Sequence, residues 1–340
     1  MRQISSRRRV LALASLGAAA ALTLSACSAP SESTGGDDAA ALDKVSIGIS
    51  QLVQHPALDA ATEGFKQAFI DAGYVEGDTV TFDEQNANGE QATAVTIAQT
   101  FSTSDLDLVL AVATPAAQAA AQAITDKPIL FTAVTDAVSA ELVESMEKPG
   151  ANVTGTVDAV PDDALKTQFE IITDINPDAK KVGIVYASGE VNSQVQVDAA
   201  QKVADEMGLE LVTKTVTTAN DIAQATEALG DVDAIYVPTD NMVVSGIASL
   251  VQVAETAKIP VIGAEPGTVE GGAVATYGID YTKLGKQTGE MAIKVLEGAD
   301  PADTPVETPA ELSYVVNPAA AERMGVEIPK AILDEATTVE

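Results

Sequence analysis

The stretch VSIGISQLVQHPALDAATEGFKQAFIDAG, residues 45–73, sets a pattern that the rest of the chain repeats. Its first five residues, 45–49, are largely apolar and β-branched, which predicts a buried strand. Apolar residues then recur at helical spacing, at Leu58, Ala61, Phe65, Ala68 and Phe69. Because Ala72-Gly73 interrupts that spacing, the stretch predicts a strand followed by one amphipathic helix.

The same alternation of strand and helix continues along the chain and restarts after about residue 158. Further strands are predicted at residues 79–83, 108–112, 129–132 and 152–157, and after the restart at 182–186, 209–213, 234–237 and 260–262. Strands without polar alternation, separated by helices of about 10 to 15 residues, are typical of parallel sheets covered on both faces. We therefore expect an α/β protein with two Rossmann-like lobes and parallel sheets.

The N-terminus resembles an export signal. Residues 1–26 contain four arginines and no acidic residue, and the apolar run 10–24 is too short for a comfortable membrane span. Leu24-Ser25-Ala26-Cys27 resembles a bacterial lipobox, so we expect a signal peptide over 1–26, a lipidated Cys27 and a flexible tether over 27–42. An ordinary signal peptide with an incidental cysteine is the alternative. Ser6-Arg7-Arg8-Arg9 leaves both the general and the twin-arginine export routes open.

Composition restricts the partners and the chemistry. Removal of the four arginines of the signal leaves 15 basic and 50 acidic side chains, a net charge of −35, which argues against nucleic-acid binding. Cys27 is the only cysteine, so an intramolecular disulfide and a four-thiolate metal site are excluded. Arg323 is the only other arginine and lies in the C-terminal segment, which leaves a ligand carboxylate to N–H groups and hydroxyls.

Polar residues cluster where the predicted strands end, the usual ligand position in open parallel sheets. The candidates from this reasoning are Gln51, His55, Asp59, Thr114, Ala116, Ala117, Thr135, Asp136, Asn192, Ser193, Thr239, Asp240 and Glu265.

Three of these segments have a specific expected role. Thr114-Pro115 predicts an N-cap followed by a first helical residue, with the N–H groups of Ala116 and Ala117 open to a carboxylate; a simple cap with nothing bound is the alternative. Asp240 is the candidate partner of a ligand ammonium, with Asp136 and Glu265 as competitors, and each of the three is also a candidate N-cap. His55, the only histidine, either caps a helix or lines the cleft, and one histidine cannot form a multi-histidine metal site.

Several segments resemble the ABC transporter substrate-binding family that includes the tryptophan- and tyrosine-binding lipoproteins. They lie in order over about residues 43–329 and include His55-Pro56-Ala57-Leu58-Asp59, Gly73-Tyr74-Val75-Glu76-Gly77, Asn86-Ala87-Asn88-Gly89-Glu90, Thr114-Pro115-Ala116-Ala117-Gln118, Thr132-Ala133-Val134-Thr135-Asp136, Asn152-Val153-Thr154-Gly155, Pro238-Thr239-Asp240-Asn241 and Gly278-Ile279-Asp280-Tyr281. The resemblance adds Asn86 to the candidate ligand-binding residues.

The resemblance implies a type I periplasmic-binding fold that closes around its ligand by a hinge. The chain then crosses between lobes near residues 157, 278 and 305, giving an N-terminal lobe of 43–157 plus 279–305 and a C-terminal lobe of 158–278 plus 306–340. The helix over 283–296 returns to the first lobe, and the strand over 312–316 rejoins the second.

The resemblance also implies a function. We expect an extracytoplasmic, lipid-anchored and monomeric solute-binding protein of an ABC importer, which delivers an amino acid to permease and ATPase subunits. Because characterised members of the family bind aromatic amino acids, the resemblance implies an aromatic ligand. Thr114 and the N–H groups of Ala116 and Ala117 would hold the carboxylate, while Asn192, Ser193 and Asp240 complete the cage. No catalysis, cofactor or metal is expected.

Two features keep other ligands open. The family usually has Asp-Pro where this chain has Asp136-Ala137, and the chain has no tryptophan and only 12 phenylalanine and tyrosine residues. A branched-chain amino acid or a nucleoside is the alternative ligand. A sensory domain that signals to a membrane kinase, or an exported enzyme on the same fold, is the alternative function.

Overall fold

The structure, a computed structural model, describes residues 43–309 and 311–339. Its first half alternates strands and helices: β1 (Val45–Gln51), α1 (Pro56–Asp71), β2 (Val80–Asn86), α2 (Gln91–Thr103), β3 (Leu108–Val112), α3 (Thr114–Ala123), β4 (Ile129–Val134) and β5 (Val153–Val157). These strands form one five-stranded sheet in the order β2-β1-β3-β4-β5, and every pair in it is parallel. Strands β3 and β4 are buried along their whole length, as their unbroken apolar sequence predicts.

The second half begins with α4 (Asp162–Ile175), β6 (Lys181–Ala187), α5 (Val191–Met207), β7 (Glu210–Val216), α6 (Ile222–Glu227), β8 (Ala234–Val237), α7 (Asn241–Ser245), α8 (Ile247–Ala257), β9 (Val261–Gly263), α9 (Pro266–Glu270) and β10 (Ala275–Ile279). It continues with α10 (Tyr281–Leu296), β11 (Leu312–Val316), α11 (Pro318–Met324), α12 (Lys330–Leu333) and β12 (Thr337–Thr338).

The second sheet has the order β12-β11-β10-β9-β8-β6-β7, and one of its pairs, β10 with β11, is antiparallel. The predicted parallel sheets are thus confirmed, and the pair of β10 with β11 is the exception in the second one. The chain leaves the sheet at Ile279, visits the first lobe through α10 and returns beside Ile279 at Leu312, so β11 runs back along β10.

Each sheet has its own hydrophobic core, so the predicted two-lobe α/β architecture is confirmed. The first core contains Phe65, Phe69, Phe101 and Phe131, and the second contains Phe169 and Tyr236. Separate cores allow each lobe to keep its shape while the angle between the lobes changes.

The chain passes between the lobes three times. The first two passages follow β5 and β10, close to the predicted positions 157 and 278. The third follows Glu307, near the predicted residue 305, because Val306 is part of the first core and Glu307 still pairs with β5. The Glu307 N–H donates to the Gly155 carbonyl over 3.0 Å, and the Val157 N–H donates to the Glu307 carbonyl over 3.0 Å.

Helix α10 returns to the first lobe and packs closely along α1. A Cβ atom at Gly285 would lie 1.9 Å from the Ala61 carbonyl oxygen, and one at Gly64 would lie 2.1 Å from the Thr282 carbonyl oxygen. Glycine at these two positions therefore allows the helix backbones to touch. Strand β11 rejoins the second sheet, as the family resemblance implies.

The proposed signal peptide, Cys27 and tether, residues 1–42, lie outside the described residues. Over 43–309 and 311–339, no helix has both the length and the apolar character needed to cross a bilayer.

Candidate functional site

A small cavity of about 10 Å³ lies where the two lobes face each other. The first lobe contributes to it from the loop after β1, the start of α1 and the end of β4, and the second contributes from loops after β6, β8 and β9. The lining residues are His55, Leu58, Ala133, Thr135, Asp158, Asn192, Thr239, Asn241, Val244, Glu265 and Tyr281. Asp158 and Tyr281 belong to the first two passages between the lobes, so the cavity touches both lobes and the hinge.

Four polar atoms around this cavity are buried and make no hydrogen bond within the described structure: Asp158 Oδ1, Asn192 Oδ1, Glu265 Oε1 and His55 Nδ1. A buried polar atom without a partner costs about 1–3 kcal/mol, so such atoms are rare in folded proteins. Three of the four can only accept hydrogen bonds. These acceptors therefore require hydrogen-bond donors, and a ligand group that donates several hydrogen bonds would satisfy them.

The two carboxylates are each held by one oxygen. The Tyr281 hydroxyl donates to Asp158 Oδ2 over 2.8 Å, and the Gly267 N–H donates to Glu265 Oε2 over 2.6 Å. Asp158 is 5 % exposed and Glu265 is 2 % exposed. The second oxygen of each carboxylate thus remains available on the cavity side.

The cavity lining contains two carboxylates, Asp158 and Glu265, and no lysine or arginine that could neutralise their charge. Burial raises the pKa of Asp158, although the Tyr281 and Thr135 hydroxyls oppose the shift. Burial, with smaller repulsion from Glu270 and Asp158, raises the pKa of Glu265 to about 7. The cavity therefore favours a proton or another cation. Over 43–309 and 311–339, no group of three or more His, Cys, Asp or Glu side chains is arranged to hold a metal ion.

His55 lines the cavity and does not act as a side-chain cap. It occupies the N-cap position of α1, yet its side chain makes no capping hydrogen bond. Burial lowers its pKa to about 4, with the Asn241 side chain of the second lobe acting in the opposite direction. The imidazole is therefore neutral near pH 7 and presents Nδ1 to the cavity.

The lobes are in contact across the cleft. The hydroxyls of Thr135 and Thr239, one from each lobe, lie 3.2 Å apart. Gln91 Nε2 of the first lobe also donates to the Gly189 carbonyl of the second over 3.2 Å. The cleft is thus closed in this conformation.

Asp240 lies behind the cavity wall, where it caps α7. Its Oδ1 accepts from the Val243 N–H over 2.8 Å, and its Oδ2 accepts from the Ala187 N–H over 2.5 Å and from the Ser193 hydroxyl over 2.7 Å. Both oxygens are therefore used within the second lobe, which matches the capping alternative for Asp240. Ser193, fully buried, belongs to the same internal network.

Glu190, which the sequence reasoning missed, supports this part of the wall. Its carboxylate accepts from Asn192 Nδ2 over 3.0 Å and from the N–H groups of Asn241 and Met242 over 3.2 and 3.1 Å. Burial, followed by repulsion from Asp240, raises the pKa of Glu190 to about 7.

The start of α3 differs from the predicted one. The N-cap position is held by Ala113, with φ of 81°, and Thr114 is the first helical residue, so the prediction of a Thr114 cap is wrong. The Thr114 hydroxyl instead accepts from the Thr135 N–H over 3.3 Å. The Ala117 N–H already donates to the Ala113 carbonyl over 3.0 Å, which leaves Ala116 as the better donor of the two.

Four other candidates lie outside the cavity lining. Gln51 Nε2 donates to Asp59 Oδ1 over 2.7 Å, so these two side chains fix the loop between β1 and α1. Asn86 Oδ1 accepts from the Asn88 N–H over 2.7 Å. Asp136 Oδ1 caps the turn after β4 by accepting from the N–H groups of Val138 and Ser139 over 3.0 and 2.9 Å.

Five candidates from the sequence do meet at the cavity: His55, Thr135, Asn192, Thr239 and Glu265. The lining residues that the sequence reasoning missed are Leu58, Ala133, Asp158, Asn241, Val244 and Tyr281. For Asp158 a signal existed, since it directly follows β5 at the predicted first crossing.

Comparison with known proteins agrees with this architecture. Residues 46–340 match the family described as ABC transporter substrate binding protein. The tyrosine-binding protein of Clostridioides difficile is 43% identical over 314 residues, which cover 91% of this chain and 90% of that protein.

Two solved structures bear on the state of the cleft. A Streptococcus pneumonia ABC domain in complex with L-Trp is 37% identical, covers 88% of this chain and 100% of that chain, and has a TM-score of 0.83. The ligand-free, open structure of a Clostridium difficile substrate-binding protein is 44% identical over 87% of this chain and 99% of that chain, but its TM-score is only 0.66. The lower score against the open structure, despite its higher identity, fits the closed cleft described above.

The match over residues 46–340, the 43% identity along nearly the whole length and the two-lobed type I periplasmic-binding fold lead to one assignment: this chain belongs to the ABC transporter substrate-binding protein family.

Proposed function

We propose that the protein captures an amino acid in the central cavity and delivers it to the permease of an ABC importer. The observation that carries this proposal is the set of four unpartnered polar atoms, from both lobes and the hinge, around one closed cavity. Substrate-binding proteins of this family work outside the cytoplasm together with permease and ATPase subunits.

The ligand ammonium is assigned to Asp158 Oδ1 and Glu265 Oε1, with Asn192 Oδ1 as a third acceptor. An ammonium has three donors, which matches three acceptors that otherwise remain unsatisfied. It also supplies the positive charge that two buried carboxylates require. Glu265 thereby replaces Asp240 as the first choice for this role, because both Asp240 oxygens are occupied.

The ligand carboxylate is assigned to the start of α3. Thr114 contacts Thr135, a cavity residue, so this helix end adjoins the site. The Ala116 N–H and the positive end of the helix dipole favour an anion there. Thr135 and Thr239 supply hydroxyls at the same wall, and the neutral His55 supplies an imidazole.

The relatives support an aromatic amino acid as the ligand, since one is named a tyrosine-binding protein and another was solved in complex with L-Trp. Within the lining, Tyr281 and His55 are the ring-bearing side chains. Lipidation at Cys27 and export through the signal over residues 1–26 complete the proposal and attach the protein to the outer face of the membrane.

The test is isothermal titration calorimetry of the purified protein with L-tryptophan, L-tyrosine, L-phenylalanine, L-leucine and a nucleoside. We expect the aromatic amino acids to bind with one-to-one stoichiometry and to raise the melting temperature by mass action. Tight binding of the nucleoside alone, or no binding of any amino acid, would overturn the amino-acid assignment. Lipidation is tested by mass spectrometry of the membrane fraction, with Cys27→Ala as the control that should release the protein.

A further inference from the structure

Two larger cavities flank the central one, and they differ in character. The hinge-side cavity, about 360 Å³, is lined mainly by the aliphatic side chains of Met146, Val157, Val160, Leu165, Val195 and Ala199. The mouth cavity, about 710 Å³, is lined by the polar loops around Asn88 to Gln91, Ser188 to Glu190 and Thr217 to Asn220. An apolar ligand side chain is therefore stabilised more by the hinge-side cavity than by the mouth cavity.

The hinge-side cavity is separated from the central one by a thin wall. Thr135, Asp158 and Thr239 line both cavities. The wall between them includes the 3.2 Å contact of the Thr135 and Thr239 hydroxyls, which come from opposite lobes. A change in the angle between the lobes would separate these two hydroxyls, because each belongs to a different lobe.

The mouth cavity is more firmly separated from the centre. The one residue that lines both is Asn241, and its N–H donates to Glu190 over 3.2 Å. Its side-chain amide is held by the same carboxylate. A ligand that leaves the central cavity on this side would have to displace a buried, charge-assisted network.

The size of the central cavity requires the side chain of a large amino acid to extend beyond it. Its volume of about 10 Å³ has room for about one water-sized group. The hinge-side cavity, at about 360 Å³, lies within the range of about 300–1,000 Å³ that is usual for pockets of drug-sized ligands. Asp158, one of the two carboxylates with a free oxygen, also borders the hinge-side cavity. An amine held by Asp158 thus brings the neighbouring carbon atoms to the wall formed by Thr135 and Thr239.

We propose that the side chain of the bound amino acid passes between Thr135 and Thr239 into the hinge-side cavity, which makes that cavity the determinant of side-chain specificity. The inference rests on the proposed function and adds the position of the side chain and its chemical class, which is large and apolar, either aromatic or branched aliphatic. Asp136 and Asp162 border the same cavity and disfavour acidic side chains. The Tyr236 hydroxyl donates to Gln168 Oε1 over 2.7 Å, so it does not require a hydrogen-bond acceptor from the ligand.

The test fills one cavity at a time. Ala199→Phe fills the hinge-side cavity from α5, and Val160→Trp fills it from the hinge, both at half-buried positions. Ser188→Phe adds the same bulk to the mouth cavity at an exposed position and serves as the matched control. Each variant is titrated with L-tryptophan, L-leucine and L-alanine, and its ligand-free melting temperature verifies folding.

We expect either filled variant to bind L-tryptophan at least about tenfold more weakly, with a much smaller change for L-alanine, while Ser188→Phe stays near the wild type. The inference is overturned if Ser188→Phe weakens L-tryptophan binding and both hinge-side variants bind normally. A wild-type protein that binds none of the amino acids would overturn the proposed function and this inference together. Normal wild-type binding with unchanged hinge-side variants overturns the inference alone.

Discussion

Glu265→Gln is the substitution with the most calculable effect, because it removes a buried charge and keeps the shape of the side chain. The Gly267 N–H donates to Glu265 Oε2 over 2.6 Å, and a glutamine side-chain oxygen can accept the same bond. The other carboxylate oxygen has no hydrogen-bond partner within the described structure. The substitution therefore relieves the burial of an ionised group without removing a cap.

The magnitude follows from the change in pKa on folding. The pKa of Glu265 rises from an ordinary value of 4.5 to about 7 when the protein folds. Between these values the folded state keeps a proton that the unfolded state has lost, so the free energy of unfolding falls as the pH rises. Integrated from about pH 5 to about pH 8, the wild type should lose about 2.5 kcal/mol that Glu265→Gln does not lose.

The assay is urea denaturation of the ligand-free protein at several pH values, followed by circular dichroism. We expect the stability curves of wild type and Glu265→Gln to diverge toward high pH, with the variant the more stable. Glu322→Gln, at an exposed position, changes the net charge equally and should run parallel to the wild type. A constant difference between wild type and Glu265→Gln at every pH would refute the reasoning.

Three further predictions follow from the same structure. Asp158→Asn should weaken L-tryptophan binding by about 10- to 100-fold in calorimetry, because a hydrogen bond to a charged group contributes about 1.5–3 kcal/mol; an unchanged affinity would remove Asp158 from the site. The affinity of the wild type for L-tryptophan should rise from about pH 5.5 to about pH 8, because the ligand ammonium replaces a proton held near Glu265, and titration in buffers of different ionisation enthalpy should detect the released proton. Gly285→Ala should lower the free energy of unfolding by about 1–3 kcal/mol, because its Cβ would lie 1.9 Å from the Ala61 carbonyl oxygen, whereas Gly189→Ala, with open space around it, should have little effect.

Most of the fold could be predicted from local patterns. The unbroken apolar runs of β3 and β4 mark buried parallel strands, and the helical spacing after β1 marks α1. The antiparallel pairing of β10 with β11 could not be obtained in this way, because it depends on where the chain re-enters the second lobe. The exact position of the third passage has a similar cause, since Glu307 pairs with β5 through backbone groups that carry no side-chain pattern.

The candidate site could be predicted only in part, and two acidic residues illustrate the reason. Asp240 and Glu265 each follow a strand and precede a short helix, so their local sequences give the same two alternatives. In the folded protein Asp240 meets three donors, from Ala187, Ser193 and Val243, and both its oxygens are used. Glu265 keeps one oxygen free. Only tertiary structure distinguishes an acid that is fully satisfied from one that still requires a partner.

The glycine contacts between α1 and α10 have a consequence for how the molecule moves. Helix α10 is joined to the second sheet through Asp280, yet its backbone touches α1 at Gly285 and Gly64. Two helices in such contact cannot slide or twist past each other without a clash, so bending is confined to the few residues before Tyr281. The two lobes then move as rigid bodies joined by three short hinge segments. A single hinge angle describes opening, on the microsecond to millisecond scale that is typical of such domain motions. A pair of spectroscopic labels, one on α10 and one on the second sheet, would read that angle directly.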